Sequence, residues 1–428
     1  FTHCISSAAS DVYKRQDYQR PDAPVAQAWK TEAGWQASNP RDGELKGAWW
    51  EIFNDTELNA LQQQALKNGQ TMVIAQARVD QARAQANVAN SSFFPRIGAQ
   101  AGTARNRTSA ERPLTNYNSQ NSSVVQNDFN AAFTVSYELD LFGRVRRQAE
   151  GAGATAQQAQ ADFENTRLVL TAELAADYLV LRQTDAEIDV LQQTLAAQTK
   201  ALDFISARHE LGAASGLDLN QQQGLTAATQ TQLTLLQDQR ARYQNAIATL
   251  VGVPAPDFKL PVNLAVTTVP AIPLTAPAAL LERRPDIAAA ERAMAAANAQ
   301  IGVARSAYFP SLGLSGLYGS DANQLSNLFS APALLWSIGV SATQTIFDGG
   351  RTGANVDFAK AGYQQALGNY RQSVLVAMQE VQDGLNSEVA LTQAIASAKV
   401  AADSADRSLG LSTDSCLLYT SDAADDMQ

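Results

Sequence analysis

ARAQANVANSSFFPRIG, residues 82–98, returns at residues 297–313 as ANAQIGVARSAYFPSLG. At a constant offset Gln85 falls on Gln300, Val88 on Val303, Ser91 on Ser306, Phe94-Pro95 on Phe309-Pro310 and Gly98 on Gly313. Each copy opens in Ala/Gln-rich helical language and closes in alternating strand language. Proline marks the change, because it has no N–H to give to a helix interior. A second pair runs from strand into helix: VSYELDLFGR (135–144) matches VSATQTIFDGGR (340–351), with two extra residues in the later copy. The chain therefore reads as a duplicated unit of helix, strand, strand and long helix, mixed α and β but mostly α.

The ends read differently. SSAASDVYKRQ (6–16) and CLLYTSDAADD (416–426) can be encoded by complementary strands of one DNA, and both resemble a translated sequencing-library transposon adaptor. Residues 1–16 and 416–428 are therefore set aside as non-native tails. Both cysteines, Cys4 and Cys416, lie in them, leaving a core without disulfides, thiolate metal sites or cysteine nucleophiles. Net charge is −10; the tails carry +1 and −3, which leaves −8 on the core. That sign argues against nucleic acid as a partner. Apolar runs fall short of the ~20 residues of a membrane helix.

The expected order is an N-terminal segment at 17–58, a first repeat at 59–251, a Pro-rich connector at 252–282 and a second repeat at 283–415. The first repeat has a helix to about Asn90, strands at 94–104 and 133–142, and helices at 145–211 and 217–251. The second has a helix at 285–307, strands at 308–319 and 334–347 and a helix at 351–415. Its chain stops just short of a second hairpin turn, so a returning helix of about 40 residues is expected beyond it. Trp49-Trp50 reads as a packing anchor, and Arg105–Asp128 as a loop too polar to pack.

Strand 133–142 alternates. Phe133, Val135, Tyr137, Leu139 and Leu141 face one way; Thr134, Ser136, Glu138 and Asp140 face the other. In the last strand Trp336, Ile338 and Val340 alternate with Ser337, Gly339 and Ser341. Ten residues match the ~9–11 of a tilted membrane-crossing strand, so the first set is expected to face lipid. Thr134, Ser136, Glu138, Ser337 and Ser341 are then lumenal. Four strands with open edges would leave unsatisfied backbone groups in lipid at several kcal/mol each. Copies must therefore pool strands into a closed ring; eight, twelve or sixteen would all close.

In helix 145–211, Leu174, Leu181, Ile188, Leu195 and Leu202 recur every seventh residue, the spacing of a left-handed supercoil. At ~1.5 Å per residue it is on the order of 100 Å long, against about 55 Å for a compact globule of this chain length. Something elongated is required. Little else carries chemistry. His209-Glu210 reads as a surface or capping pair, and Asp348–Gly353 lacks the lysine of a phosphate loop. Glu138 and Asp140 suit a wet pore better than acid/base catalysis. No catalytic, cofactor or metal residue is expected, and no enzyme.

WWEIFNDTELNALQQQAL (49–66), the two FP motifs, ELDLFGRVRR (138–147), ARHELGAASGLDL (207–219) and ERRPDI (282–287) resemble TolC-like outer-membrane efflux proteins, in particular their lipoprotein branch. The resemblance implies a homotrimer in the bacterial outer membrane, with a twelve-stranded barrel continuous with a long α-helical periplasmic tube. It also implies an equatorial belt made of the chain ends and the connector. The implied role is a passive exit duct for drugs or other small molecules, fed by an inner-membrane pump through a periplasmic adaptor protein. Type I protein secretion and, further off, a soluble coiled-coil scaffold are the alternatives. The turn farthest from the membrane (Arg208, Leu211, Gly212, Ser215, Gly216, Leu217 and Asp218) is the expected adaptor-docking tip.

Overall fold

The computed structural model describes residues 47–111, 122–265 and 284–425, with side chains to Leu411. The expected tail 1–16, the start of the N-terminal segment and most of the connector lie outside the described residues. Of two units, one holds the described residues up to Tyr370 and all four strands; the other holds those from Arg371 onward. A 3₁₀ turn (Trp49–Phe53) leads into α1 (Thr56–Asn68), α2 (Gln70–Ser91), β1 (Arg96–Thr108), β2 (Val124–Leu139), α3 (Arg144–Glu210) and α4 (Gly216–Val251). After the connector come α5 (Pro285–Ser306), β3 (Ser311–Ala322), β4 (Leu334–Thr343) and α6 (Arg351–Asp425). Among these residues no helix is long and apolar enough to cross a membrane.

The duplication is visible bond by bond at the helix-to-strand junctions. Ser91 Oγ donates to Val88 O at 2.7 Å, and Ser306 Oγ to Val303 O at 2.6 Å. Phe94 N donates to Ser91 O at 3.1 Å, and Phe309 N to Ser306 O at 3.0 Å. In both copies the last helical turn tightens and the proline that follows starts the strand.

Several boundaries differ from the sequence expectation; β2 ends at Leu139 rather than 142, β3 is Ser311–Ala322 rather than 308–319, and α6 continues past 415 to Asp425. The first helix is two, broken at Gly69, which is extended (ψ 124°). Its backbone passes the end of α4: a Cβ on Gly69 would lie 3.0 Å from Leu250 O, and one on Gly252 2.6 Å from Asn68 O. Gly252 ends α4 in the left-handed region (φ 77°), so that crossing needs glycine on both sides. β1 starts at Arg96 rather than 94, because Phe93 and Phe94 still close the turn. Much of the polar 105–128 stretch is strand, since Arg105–Thr108 pairs with Val124–Asn127. Ladder hydrogen bonds are made by backbone, so polar side chains do not forbid them. β4 ends at Thr343 rather than 347; Gln344 turns its Nε2 to Tyr308 O and Thr345 O, both at 3.2 Å.

The sheet runs β1-β2-β3-β4, all antiparallel. Small residues bring the helices beneath it close together. Gly151 sits where a Cβ would be 3.4 Å from Ala299, and Gly302 where one would be 2.8 Å from the Arg147 stem. The main core lies where α1, α3, α4 and the connector meet, around Trp50, Leu58, Leu174, Tyr178, Leu181, Ile247, Val251 and Leu260. Trp49 anchors it by donating Nε1–H to Thr171 Oγ1 at 3.1 Å. Along α3, Leu174 and Leu181 are fully buried, whereas Ile188, Leu195 and Leu202 toward the turn are half-buried.

Candidate functional site

Directly opposed residues in a sheet share a face, so the register sorts the side chains. Ile97, Val135, Gly316 and Ile338 form one row; Ala99, Phe133, Tyr318 and Trp336 form the next; Tyr137, Leu314 and Val340 a third. The other face carries Gly98, Thr134, Leu317 and Ser337, then Arg96, Ser136, Ser315 and Gly339, then Glu138, Gly313 and Ser341. The residues expected toward lipid thus lie together on one face, with Leu139 beside Leu312 and Ala342. Thr134, Ser136, Glu138, Ser337 and Ser341 lie together on the other. Phe133, Trp336, Ile338 and Val340 are all exposed in the single chain. The hydroxyls of Thr134, Ser315 and Ser341 turn back to the carbonyls of Gly98, Gly339 and Gly313 at 3.4–3.5 Å.

Asp140 and Leu141 lie beyond β2. Asp140 instead caps α3, accepting from Val145 N at 3.1 Å and Arg146 N at 2.9 Å, and it pairs with the Arg146 guanidinium. Glu138 is held by Arg144, whose Nε donates to it at 2.7 Å. The two carboxylates are therefore each tied to a guanidinium, not to one another. A recess of about 900 Å³ at this end of the sheet is lined by Arg96, Ser136, Glu138, Arg144, Ser341 and Thr343 among others. It offers hydroxyls, the Arg96 guanidinium and the Arg144–Glu138 ion pair. Asp348 repeats the capping role at α6: Thr352 N donates to it at 2.9 Å and Gly350 N at 3.0 Å, across Gly349 and Gly350, both left-handed. That is a strand-to-helix turn.

At the α3–α4 turn Gly212 is left-handed (φ 73°). Arg208 Nη2 donates to Ala213 O at 3.1 Å, and His209 Nδ1 meets Ala214 O at 2.9 Å. Ser215 and Asp218 form a capping box. Ser215 Oγ donates to Asp218 at 2.8 Å and accepts from Asp218 N, so its hydroxyl is engaged within the turn rather than offered outward. Leu211 and Leu217 remain as the exposed apolar pair, 84% and 66% accessible, beside Gly216.

Sequence reasoning missed a buried ionic cluster. Asp185 on α3 has no exposed side-chain surface; it accepts from Arg182 Nη1 at 2.8 Å and from Arg240 Nε of α4 at 2.5 Å. Arg182 also donates to Glu57 at 2.6 Å and to Pro261 O at 2.8 Å, and Arg240 to Leu260 O at 3.0 Å. Asn263 N reaches Asp185 at 3.4 Å. α1, α3, α4 and the connector are thus tied through two carboxylates, Glu57 and Asp185, and two guanidinium groups. Burial pushes the neighbouring Tyr178 phenol well up, and its hydrogen bond to Asp55 (2.7 Å) adds to that against the opposing effect of Arg182. An i,i+3 Arg–Asp pair on a helix was the only signal in the sequence, and it reads equally as a surface pair.

Comparison with known proteins follows the same outline. The sequence model of the outer membrane efflux protein family matches residues 61–253 and 276–415. A probable efflux pump outer membrane protein of Pseudomonas putida, SepC, is 33% identical over 394 residues, covering 89% of this chain and 80% of its own. Among solved structures, a membrane protein from Pseudomonas aeruginosa superposes with a TM-score of 0.78 at 30% identity, covering 88% of this chain and 83% of its own. The outer-membrane channel OprN does so with a TM-score of 0.76 at 32% identity, covering 87% and 82%.

Proposed function

The chain belongs to the outer membrane efflux protein family and is an outer-membrane exit duct of an efflux system, and from that premise we propose how its parts perform the task. Three copies contribute four strands each to a twelve-stranded barrel, with the row of Phe133, Val135, Tyr137, Leu139, Trp336, Ile338 and Val340 against lipid. Thr134, Ser136, Glu138, Ser337 and Ser341 line a wet lumen. One observation carries this: one face of the sheet is apolar across all four strands, while both of its edges are unpaired among the described residues. An open edge in lipid costs several kcal/mol for each unsatisfied group, so closure with further copies is the low-energy solution.

Transport through such a duct is passive. The hydroxyls of Thr134, Ser315 and Ser341, bonded to backbone, and the Glu138 carboxylate, held by Arg144, give a polar wall that solvates solutes without holding any of them tightly. The pump and a periplasmic adaptor supply direction, and the α3–α4 turn, with Leu211 and Leu217 exposed, is the surface for the adaptor. The test is to fractionate membranes and weigh the detergent-extracted particle. A trimer from the outer membrane, which restores export of small apolar toxicants to cells that lack their own exit duct but retain pump and adaptor, is expected. A monomer, or a trimer that never restores export, refutes the proposal.

A further inference from the structure

The helices α2, α3, α5 and α6 all meet the sheet at one end: Ser91 precedes Arg96, Leu139 leads to Arg144, Ser306 precedes Ser311 and Thr343 leads to Arg351. The opposite end carries the two hairpin connections, after Thr108 and after Ala322. With the helices in the periplasm, that end faces the cell exterior. On its lipid-facing side stand Arg105 and Arg107. We propose that these two guanidinium groups bind the phosphate of a lipid headgroup in the outer leaflet, the leaflet built of phosphorylated glycolipid. This rests on the barrel proposed above and names the lipid that packs on it.

Three observations converge on the site. The first is the face. β1 and β2 pair without interruption from Arg96–Ser136 to Thr108–Val124. Alternation therefore carries the face of Ile97 and Val135 outward through Thr103 and Phe129 to Arg105, opposite Asn127, and Arg107, opposite Val125. Among the described residues of the four strands, these arginines are the only charged side chains on that face. Carboxylates at the same end, Asp128 and Asp321, fall on the lumen face, opposite Ala104 and Asn130. Positive charge thus points to lipid and negative charge to the pore.

The second is height. From Leu139, at the inner limit of β2, to Asn127, opposite Arg105, the strand advances twelve residues. At a rise of ~3.3 Å and the ~45° tilt of membrane strands, that is roughly 28 Å along the membrane normal. Phe129, two residues nearer the helices, comes at roughly 23 Å. The apolar band of an outer-membrane barrel is ~25 Å tall. Phe129 therefore lies inside the band, and Arg105 lies where acyl chains give way to phosphate. Arg107 stands one row farther out.

The third is what the two groups leave unsatisfied. Arg107 Nε donates to Ser123 Oγ at 3.0 Å, which holds the side chain while its terminal nitrogens have no partner among the described residues. Arg105 is exposed and has none there either. A guanidinium presents its N–H groups as a planar fork that matches phosphate oxygens in pairs, and such charge-assisted bonds are roughly twice as strong as neutral ones. Two positions apart on one face, the arginines are separated by ~7 Å along the strand, so one headgroup can engage both.

The test uses the full chain, extracted as a trimer in mild detergent, stripped of lipid and melted with increasing amounts of diphosphoryl lipid A. The temperature at which the trimer separates should rise with the lipid. R105S/R107S should raise the lipid A concentration that gives half of this shift by roughly tenfold or more. R105K/R107K, which keeps the charges without the fork, should fall between, and R242S, which removes an exposed guanidinium from α4, should match the parent chain. Fully dephosphorylated lipid A, inorganic phosphate and phosphatidylglycerol are run beside it at equal concentration, and each should shift the melt less. A lipid A shift that survives R105S/R107S, or one that any of those three reproduces, overturns the site and leaves the barrel standing. A particle of monomer mass before lipid is added overturns the ring on which the site rests.

Discussion

Removing the Asp185 carboxylate should loosen the connector from the helices, and the size of the effect follows from what remains. D185A leaves Arg182 with Glu57 and the Pro261 carbonyl, and Arg240 with the Leu260 carbonyl and Gln244. Breaking a buried ion pair from one side costs roughly 3–5 kcal/mol. The surviving partners, and the 17% exposure of the Arg240 side chain, favour the low end, about 3 kcal/mol. D185N keeps an acceptor and loses the charge, so about 1.5 kcal/mol is expected. The readout is hydrogen exchange at Leu260 and Asn263, whose amides bond to the side chains of Gln244 and Asp185. At about 1.4 kcal/mol per decade, D185A should speed their exchange about 150-fold and D185N about tenfold, while amides of β2 stay unchanged. The triple variant R182M/D185L/R240M should recover most of the loss, because apolar replacement of the buried members is often near neutral and Glu57, 28% exposed, keeps water as its partner. Acceleration of under threefold in D185A, or no recovery in the triple variant, would refute the account of the cluster as a tie whose missing member strands buried charge.

Three further outcomes follow. Single cysteines from Phe133 to Leu139 should alternate between lipid-soluble and water-soluble maleimide labelling, odd positions with the former; uniform labelling would contradict the barrel. Above pH ~10, where an unfolded tyrosine ionises, stability should fall as pH rises, since the folded chain holds the Tyr178 phenol protonated longer than the unfolded one does; Y178F should remove that part of the slope seen in alkaline thermal melts. L211E/L217E should abolish cross-linking of the α3–α4 turn to the periplasmic adaptor without altering trimer melting, while S215A, which removes a helix cap of roughly 1 kcal/mol, should fray the turn and spare adaptor binding. Equal damage from both changes would show that the turn acts only as structure.

Periodicity carried most of the architecture. Period two at Phe133–Leu139 and period seven from Leu174 to Leu202 specified a strand and a long helix whose observed bounds, Val124–Leu139 and Arg144–Glu210, include them. The parts that stayed hidden share a cause. Arg105–Thr108 and Val124–Asn127 look like loop because neither alternates in polarity; their strand character lies in backbone pairing between segments, which composition does not record. The break at Gly69 was equally silent, for a single glycine in a helical pattern becomes a hinge only once another backbone, here that of Leu250, passes against it.

The ionic cluster pushes the same argument further. Arg182 and Asp185 are one helical turn apart, Arg240 follows after a hairpin, and Glu57 precedes both by more than a hundred residues. Their meeting depends on α3 and α4 being antiparallel and in one register, which the length of the turn and the Gly69–Gly252 crossing fix at opposite ends of α4. Where a sequence repeats, however, long-range geometry becomes readable, because one solved contact stands for two. The helix-to-strand junctions are such a case: the bond from Ser91 to Val88 in the first repeat returns as the bond from Ser306 to Val303 in the second.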